Sequence, residues 1–185
     1  MTKQIKKVLI FFADGFEEIE AITPVDVLRR AEVDVTTVSI TKNRRVKGSH
    51  NIEITTDTLL DEIKEIEADM LILPGGLPGA ENLKNSKELT QMIQNYSDKG
   101  KSIGAICAAP MVLGEMGILK DKKATCYPGF EKYLHGAEVS TNGVETSSNI
   151  ITGKGVGAAM KFSLELVAQL IDRQTADELA KKMVV

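Results

Sequence analysis

The segment Ile103-Gly-Ala-Ile-Cys-Ala-Ala-Pro110 joins a short apolar run to the start of a helix, a junction typical of parallel α/β sheets. A strand is predicted to end immediately before Cys107 and a helix to begin at Ala108, so the cysteine occupies the connecting turn. The small residues Ala105 and Ala109 give the spacing of a nucleophile elbow, where a tight turn excludes bulky side chains. The helix N-terminus behind the sulfur carries partial positive charge, so we expect a lowered thiol pKa and a nucleophilic thiolate.

Both cysteines also have a purely structural interpretation, since a lone cysteine is usually a small buried hydrophobe. For Cys107 the elbow spacing favours a functional role. Cys126 ends the short run Lys123-Ala-Thr-Cys126, and no helix start follows it, so the structural interpretation is the better one there. Two cysteines at this spacing predict neither a disulfide framework nor a metal cluster.

Outward from this junction, apolar runs of strand length alternate with segments of helical period. This alternation predicts an α/β fold with a doubly wound, mostly parallel sheet between helices. It also predicts a single domain over residues 1–185. Strands are predicted at residues 8–12, 34–40, 70–73, 102–106 and 150–152. Helices are predicted at residues 24–31, 89–96, 108–116, 156–172 and 175–183, the first after a Thr23 cap with Pro24 in its first position and the second capped by Ser86.

Two segments depart from the parallel pattern. Residues 46–56 alternate across the turn Gly48-Ser-His-Asn51, which predicts an antiparallel hairpin at an edge or an interface. Residues 138–147 are expected to hold a further pair of strands or a hairpin. At least one element is therefore expected to leave the regular strand-helix alternation.

Charge and hydropathy argue against two classes of partner. The net charge is −3 with acidic and basic residues interleaved, so the chain offers no basic face for nucleic acid. No apolar run approaches the roughly 20 residues that cross a bilayer, so no membrane association is expected. The N-terminal apolar stretch breaks at Asp14-Gly-Phe-Glu-Glu18, too early for a signal peptide, and we expect a cytoplasmic protein.

The predicted strand at residues 70–73 runs into a second candidate segment, Pro74-Gly-Gly-Leu-Pro-Gly79. In a doubly wound sheet, ligands bind beyond the carboxyl ends of the strands. The amide groups of Gly75 and Gly76 could bind an oxyanion at such a position. Most Pro-Gly-Gly segments are simply turns, so this segment alone leaves both interpretations open.

Other titratable residues give weaker indications. Glu17, Glu18 and Glu20 follow the first predicted strand, where acids often only complement a helix dipole but where a carboxylate could also face a site. The two histidines, His50 in the predicted hairpin turn and His135 in a polar loop, have no neighbour in the sequence that suggests metal ligation. Neither a Cys-His-Asp triad nor a metal site is expected.

Three motifs, in the same order along the chain, resemble the ThiJ/PfpI superfamily, and within it the branch of the parkinsonism-associated protein deglycase and its bacterial relatives. The resemblance extends from the first predicted strand to the last long helix, and it implies a flavodoxin-like sandwich that is usually a homodimer. The motifs are Ala13-Asp-Gly-Phe-Glu-Glu-Ile-Glu-Ala-Ile-Thr-Pro-Val-Asp-Val-Leu-Arg-Arg30, Leu73-Pro-Gly-Gly76 with Gly79-Ala-Glu-Asn-Leu83, and Ala105-Ile-Cys-Ala-Ala-Pro110.

The resemblance also implies roles for particular residues. Cys107 matches the elbow cysteine of the family, and Glu20, the last acid of the Glu-Glu-Ile-Glu motif, matches its acidic partner. The amides of Gly76 and Ala108 match the oxyanion-binding pair, and Gly75 belongs to the same substrate-binding turn. For the homodimer, we expect an interface formed by the hairpin at residues 46–56 and by the side chains Val27, Leu28 and Ala31 of the first helix.

Two positions depart from the family pattern. In the protease-like branch a histidine directly follows the cysteine, whereas this chain has Ala108, which argues against peptidase chemistry. Several relatives carry a histidine before the proline that follows the next strand, where this chain has Tyr127. Tyr127 is therefore placed among the substrate-binding residues, and it or Glu20 must supply any proton transfer that such a histidine performs.

Chemically, the resemblance implies addition of the Cys107 thiolate to a reactive carbonyl of a small molecule. We expect a cofactor-free enzyme of the glyoxalase III or deglycase type that converts α-oxoaldehydes such as methylglyoxal through a Cys107 hemithioacetal. Action on early glycation adducts of proteins would extend this activity. Three alternatives stay open: an oxidative-stress sensor or chaperone that uses oxidation of the same thiol without turnover, a protein with no activity of its own, and, less favoured, an intracellular peptidase.

Overall fold

A computed structural model of the chain describes residues 5–63 and 67–185, so residues 1–4 of the charged N-terminal stretch lie outside the described part. The strands are β1 (Lys7–Phe12), β2 (Asp34–Ser39), β3 (Arg45–Lys47), β4 (Glu53–Thr55), β5 (Thr58–Leu59), β6 (Met70–Leu73), β7 (Ser102–Ile106), β8 (Lys123–Ala124), β9 (Glu138–Val139), β10 (Val144–Ser147) and β11 (Ile150–Gly153). The helices are α1 (Glu18–Arg30), α2 (Gly79–Asn85), α3 (Lys87–Asp98), α4 (Pro110–Glu115), α5 (Ala159–Leu170) and α6 (Arg173–Lys182), with 3₁₀ turns at Leu60–Glu62, Glu131–Tyr133 and Val156–Ala158.

The main sheet has seven strands in the order β10-β11-β7-β6-β1-β2-β5. Its neighbouring strands pair in parallel from β11 to β5, and only the edge strand β10 runs antiparallel to its neighbour among the described residues. The predicted α/β fold with a mostly parallel sheet is therefore confirmed. Within the described ranges, no helix is both long and apolar enough to cross a membrane.

Alternate side chains of the central strands point to opposite faces of the sheet and build two cores. Leu9 and Phe11 of β1 pack on the side of α2, α3 and α4. Val8, Ile10 and Phe12 pack on the side of α1, α5 and α6. Because helices cover both faces, the central strands are continuous apolar runs rather than alternating ones, which is the signal that predicted them.

The first helix begins earlier than predicted. It starts at Glu18, and Pro24, expected in its first position, lies inside it. A proline cannot donate the backbone hydrogen bond of a helix interior, so the packing of α1 against α5 must offset that loss. Val27 and Leu28 are completely buried, and Ala31 packs against the same core, so their predicted role as an exposed dimer surface is wrong.

Two segments show where tertiary pairing departs from local pattern. Residues 46–56 form the predicted antiparallel hairpin from β3 and β4, but as a separate two-stranded sheet. The strands within residues 138–147 do not form a hairpin with each other, since β9 pairs with β8 whereas β10 pairs with β11. The short helix α2 follows the predicted glycine-rich turn and shares only Gly79 with it, and the sequence analysis predicted no helix there.

The parallel arrangement determines where the functional residues meet. The strands β1, β6, β7 and β11 lie side by side and point the same way, so their carboxyl ends share one edge of the sheet. The segments that follow these strands, at residues 13–20, 74–79, 107–109 and 154–158, therefore gather at that edge. Doubly wound sheets bind their ligands at such an edge.

Candidate functional site

Cys107 is the first residue of the turn between β7 and α4, and its backbone is left-handed, with a φ of 65°. This conformation costs a non-glycine residue about 1–3 kcal/mol. Two backbone hydrogen bonds hold it: the Cys107 amide donates to the Gly153 carbonyl at 2.8 Å, and the Tyr127 amide donates to the Cys107 carbonyl at 2.8 Å. The elbow is thus held from one side by β11 and from the other by the segment after β8.

Two backbone amides point at the Cys107 sulfur. The N–H groups of Gly76 and Ala108 both donate toward it, and each lowers the thiol pKa. Position 75, next to Gly76, requires glycine, since a Cβ atom on Gly75 would lie 2.5 Å from both Cys107 Cβ and Glu20 Oε2. Gly75 therefore allows the cysteine and the glutamate to approach each other across the turn after β6.

The Glu20 carboxyl group lies beside this sulfur and is completely buried, at 0% exposure. Among the residues that the structure describes, neither of its oxygens has a hydrogen-bond partner of good geometry. The Cys107 thiol and the Gly75 amide are still close enough to lower its pKa, whereas burial above all, and the charge of Glu17, raise it. Burial dominates, and the pKa of Glu20 rises from 4.5 to about 7.

The thiol of Cys107 ionises less readily than the sequence predicted, because its pKa rises from 9.0 to about 12. Burial is the largest cause, and the charge of Glu20 and its close contact with the thiol add to it. The predicted lowering is therefore wrong for the resting pair, since α4 begins only at Pro110 and has six residues, too short for a strong dipole. Cys107 and Glu20 form one coupled pair that keeps a proton between them above neutral pH.

An open cleft of about 1120 Å³ leads to the sulfur. On one wall Tyr127 is 51% exposed, and its ring meets that of Phe130 edge-on, with centroids 6.4 Å apart. A Cβ atom on Gly155 would lie 3.4 Å from Tyr127 Cδ2 and 3.8 Å from Glu20 Oε1, so the glycine leaves space between ring and acid. Sequence reasoning included Tyr127 but missed Phe130, Lys154 and Gly155, which lie in loops without a recognisable motif.

The remaining cysteine and the two histidines lie in different surroundings. Cys126 is only 4% exposed, does not line the cleft, and has a pKa raised to about 11, chiefly by burial. His135 is exposed in its loop, as expected for a solvated histidine. His50, in contrast, lines the cleft with its Nδ1 atom 2.9 Å from Glu18 Oε2, a carboxylate neighbour that its position in the sequence did not indicate.

Comparison with known proteins yields consistent matches along the chain. The model of the DJ-1/PfpI family matches residues 6–169. Protein DJ-1 homolog B of Arabidopsis thaliana is 42% identical over 100% of this chain, which spans only 43% of that relative's length. The glutathione-independent glyoxalase DJ-1 of Schizosaccharomyces pombe is 31% identical, with 96% of this chain and 97% of that protein aligned. Among solved structures, oxidized Toxoplasma gondii DJ-1 has a TM-score of 0.93 and 34% identity, covering 97% of this chain and 98% of that one.

Glu20→Gln should remove a pH-dependent instability. A carboxyl group whose folded pKa is raised stabilises the fold fully below its unfolded pKa, here 4.5, and that contribution is lost as the pH rises to about 7. The difference between these two pKa values corresponds to roughly 3 kcal/mol. Between about pH 4.5 and pH 8, Glu20→Gln should therefore gain roughly that much free energy of unfolding relative to the wild type.

Urea unfolding across this pH range measures the effect. Glu53→Gln, which alters an exposed acid of β4, is the matched control and should not show this gain of stability. A constant difference between Glu20→Gln and the wild type would contradict the raised pKa of the buried carboxyl group.

Proposed function

The chain belongs to the DJ-1/PfpI family, and from this premise we propose that it is a cofactor-free, cysteine-dependent enzyme of the glyoxalase III or deglycase type. Its substrates are small α-oxoaldehydes such as methylglyoxal, which become 2-hydroxy acids, with early glycation adducts of proteins as an extension. The observation that carries the proposal is the buried Glu20 carboxyl group beside Cys107, without a hydrogen-bond partner of its own among the described residues. The name of the Schizosaccharomyces pombe relative supports it.

The first step is addition of the Cys107 sulfur to the aldehyde carbon. As the S–C bond forms, the thiol proton passes to the Glu20 carboxylate, so a free thiolate need not accumulate against the high pKa of Cys107. The aldehyde oxygen takes up the negative charge and accepts hydrogen bonds from the amides of Gly76 and Ala108. Protonation of this oxygen by Glu20 completes a hemithioacetal and returns the acid to its carboxylate form.

Glu20 then moves a proton between two carbon atoms. As a carboxylate it removes the hydrogen of the former aldehyde carbon to give an enediolate, and it returns that proton to the neighbouring carbon. The hydroxyl proton of the former aldehyde carbon passes at the same time to the oxygen of the neighbouring carbon, so the former aldehyde carbon becomes a carbonyl. The product is a thioester of the 2-hydroxy acid on Cys107, which water hydrolyses to the free acid and the thiol. A pKa of about 7 suits both directions of transfer, because acid–base catalysts work best when their pKa lies near the working pH.

The residues around the sulfur favour addition to carbonyls over peptide hydrolysis. Cysteine peptidases use an imidazole next to the sulfur to protonate the amine that leaves. Ala108 occupies the position directly after the cysteine, where the protease-like branch has a histidine. Conversion of a free α-oxoaldehyde has no amine leaving group, and Glu20 carries the proton between its carbon atoms, so this reaction needs no such imidazole.

A second candidate function uses the same sulfur as an oxidation sensor. Its support is the pair of amides on Gly76 and Ala108, which point at the sulfur and would donate to the oxygens of a sulfinate. A protonated Glu20 could donate one further hydrogen bond. In this role the acid stabilises an oxidised side chain, whereas in the enzyme it carries a proton in every turnover.

A homodimer in the cytoplasm, without a nucleic-acid partner, completes the proposal, in line with the net charge of −3. Three exposed apolar side chains lie on α1 and the hairpin: Ile19 and Ile22 of α1, at 51% and 41% exposure, and Ile52 before β4, at 56%. They replace the buried Val27 and Leu28 as the candidate contact surface between two copies. The hairpin of β3 and β4 remains part of this surface.

Cys107→Ala should abolish formation of lactate from methylglyoxal in the absence of glutathione. Glu20→Gln should fold but lose about 10²-fold or more in turnover, as loss of a general acid–base group usually causes. Lactate formed by the purified variants is the measurement, because methylglyoxal also disappears by reacting with protein side chains. Cys126→Ala, which removes the thiol outside the cleft, is the matched control and should turn over like the wild type. Undiminished lactate formation by Cys107→Ala would overturn the mechanism, and by Glu20→Gln would remove that acid from it.

Mild peroxide treatment should add two oxygen atoms to Cys107 before any other residue. Its sulfur is reachable from the cleft, and Glu20 can take up the thiol proton despite the raised pKa of Cys107. The amides of Gly76 and Ala108 stabilise a sulfinate. Cys126 is only 4% exposed and does not line the cleft. Peptide mass spectrometry locates the oxygens, with Cys126 as the internal control. Earlier oxidation of Cys126 or of a methionine, or direct progress to the sulfonate, would count against the sensor.

Sedimentation at micromolar concentration should show a species of twice the chain mass of 20.1 kDa. Ile22→Asp should shift this species toward the monomer, because a charge would be buried in the contact. Val139→Asp, at a comparably exposed apolar position in β9, is the control and should leave the dimer intact. A monomeric wild type, or a dimer insensitive to Ile22→Asp, would reject this interface.

A further inference from the structure

A second group of polar side chains lies at the mouth of the cleft, outside the Cys107–Glu20 pair. Glu17 and Glu18 at the start of α1 face Ser49 and His50 in the turn between β3 and β4. One polar atom from each side chain belongs to a single group of close contacts, and the candidate ligand atoms of Glu17, Glu18 and His50 lie within 4.8 Å of one another. The four atoms of the group are Glu17 Oε2, Glu18 Oε2, Ser49 Oγ and His50 Nδ1.

The spacing of these four atoms is that of ligands around a metal ion. His50 Nδ1 lies 2.9 Å from Glu18 Oε2 and 3.6 Å from Glu17 Oε2. Ser49 Oγ lies 3.2 Å from each of the two carboxylate oxygens and 3.1 Å from His50 Nδ1. Tetrahedral ligands at the usual zinc distance of about 2.0–2.1 Å are roughly 3.4 Å apart, so the separations between these atoms are close to those that a bound ion requires.

The surrounding backbone orients the ligands. Glu18 Oε1 accepts hydrogen bonds from the amides of His50 at 2.7 Å and Ile52 at 3.4 Å, which turns Oε2 toward the centre of the group. Gly48 makes this approach possible, since a Cβ atom there would collide with the Glu18 carboxyl group. The Ser49 amide donates to the Phe16 carbonyl at 2.8 Å and holds the hairpin turn against the chain before α1. Such outer contacts position ligands in established metal sites.

The two carboxylates of this group favour binding of a cation. The side chains of Glu17 and Glu18 are only 14% and 9% exposed, so two carboxylates lie close together with little water around them. The imidazole of His50 is 67% exposed and can exchange its bound proton for a metal ion. A set of one imidazole and two carboxylates suits zinc and its first-row neighbours better than magnesium or calcium, which prefer oxygen alone.

We propose that Glu17, Glu18 and His50, assisted by Ser49, bind one divalent transition-metal ion, with Zn²⁺ the preferred occupant. The ion ties the hairpin turn to the start of α1 at the mouth of the cleft. Neither the Cys107 sulfur nor Glu20 supplies a ligand atom, so binding of the ion does not require the thiol.

The test is a titration of the chelator-treated full-length protein with Zn²⁺ by calorimetry. One ion should bind per chain in the wild type and equally in Cys107→Ala. His50→Ala and Glu17→Gln should each weaken binding by at least about tenfold, the smallest loss usual even for residues that only support a ligand. Glu53→Gln, an exposed acid of the same hairpin, is the matched control and should bind as the wild type does.

Co²⁺ provides a second reading of the same site, because its visible spectrum reports the ligand atoms. Bound Co²⁺ should show the bands of nitrogen and oxygen ligation without a thiolate charge-transfer band. The proposal is overturned if the wild type binds no ion, if His50→Ala and Glu17→Gln bind as the wild type does, or if the spectrum shows thiolate ligation that disappears in Cys107→Ala. Circular dichroism of each variant shows that the fold is retained.

Discussion

The left-handed backbone at Cys107 is the constraint on which the rest of the site depends. It ends β7 abruptly, turns the amide of Ala108 toward the sulfur, and delays the start of α4 to Pro110. A residue in this conformation persists only where its surroundings hold it. Here the Gly153 carbonyl of β11 accepts a hydrogen bond from the Cys107 amide. The strand β11, which pairs with β7 in parallel, therefore both contributes to the core and restrains the turn. The sheet order is therefore a requirement of the site as well as of the fold.

Burial explains why the local sequence predicted a lowered pKa for the Cys107 thiol whereas the structure raises it. A helix N-terminus is worth about 0.3–1 kcal/mol to a nearby negative charge. The rise in the pKa of Cys107 from 9.0 to about 12 corresponds to roughly 4 kcal/mol, so burial and the charge of Glu20 exceed the dipole several-fold. A nucleophile in such a pocket depends on a nearby acceptor for its proton, and Glu20, with its pKa of about 7, can accept and return one.

The central strands were predictable from the sequence, because helices cover both faces of the sheet and each such strand is a continuous apolar run. The strands at residues 70–73 and 102–106 have the predicted bounds, and Ser86 caps α3 through the Leu89 amide as expected. The start of α1 was not predictable in this way, because Thr23 and Pro24 form a persuasive local start signal inside a longer helix. There the packing of Ala21 and Val25 against the core outweighs the local preference. Residues 138–147 hold two strands, as predicted, but these strands do not form the alternative hairpin because each pairs with a different strand of the fold.

The same distinction separates the parts of the site. Cys107, Gly76 and Glu20 each follow the carboxyl end of a parallel strand, so topology alone predicts that they gather at one edge of the sheet. His50 and Glu18 are 32 positions apart and meet only because the hairpin folds back over the start of α1, which no repeating pattern encodes. Glycine at position 48 is the one residue type in the turn that this contact requires, since a side chain there would collide with the Glu18 carboxyl group. A glycine in a hairpin turn is ordinarily explained by the turn itself. The contact between Gly48 and Glu18 can therefore be recognised only once the packing is known.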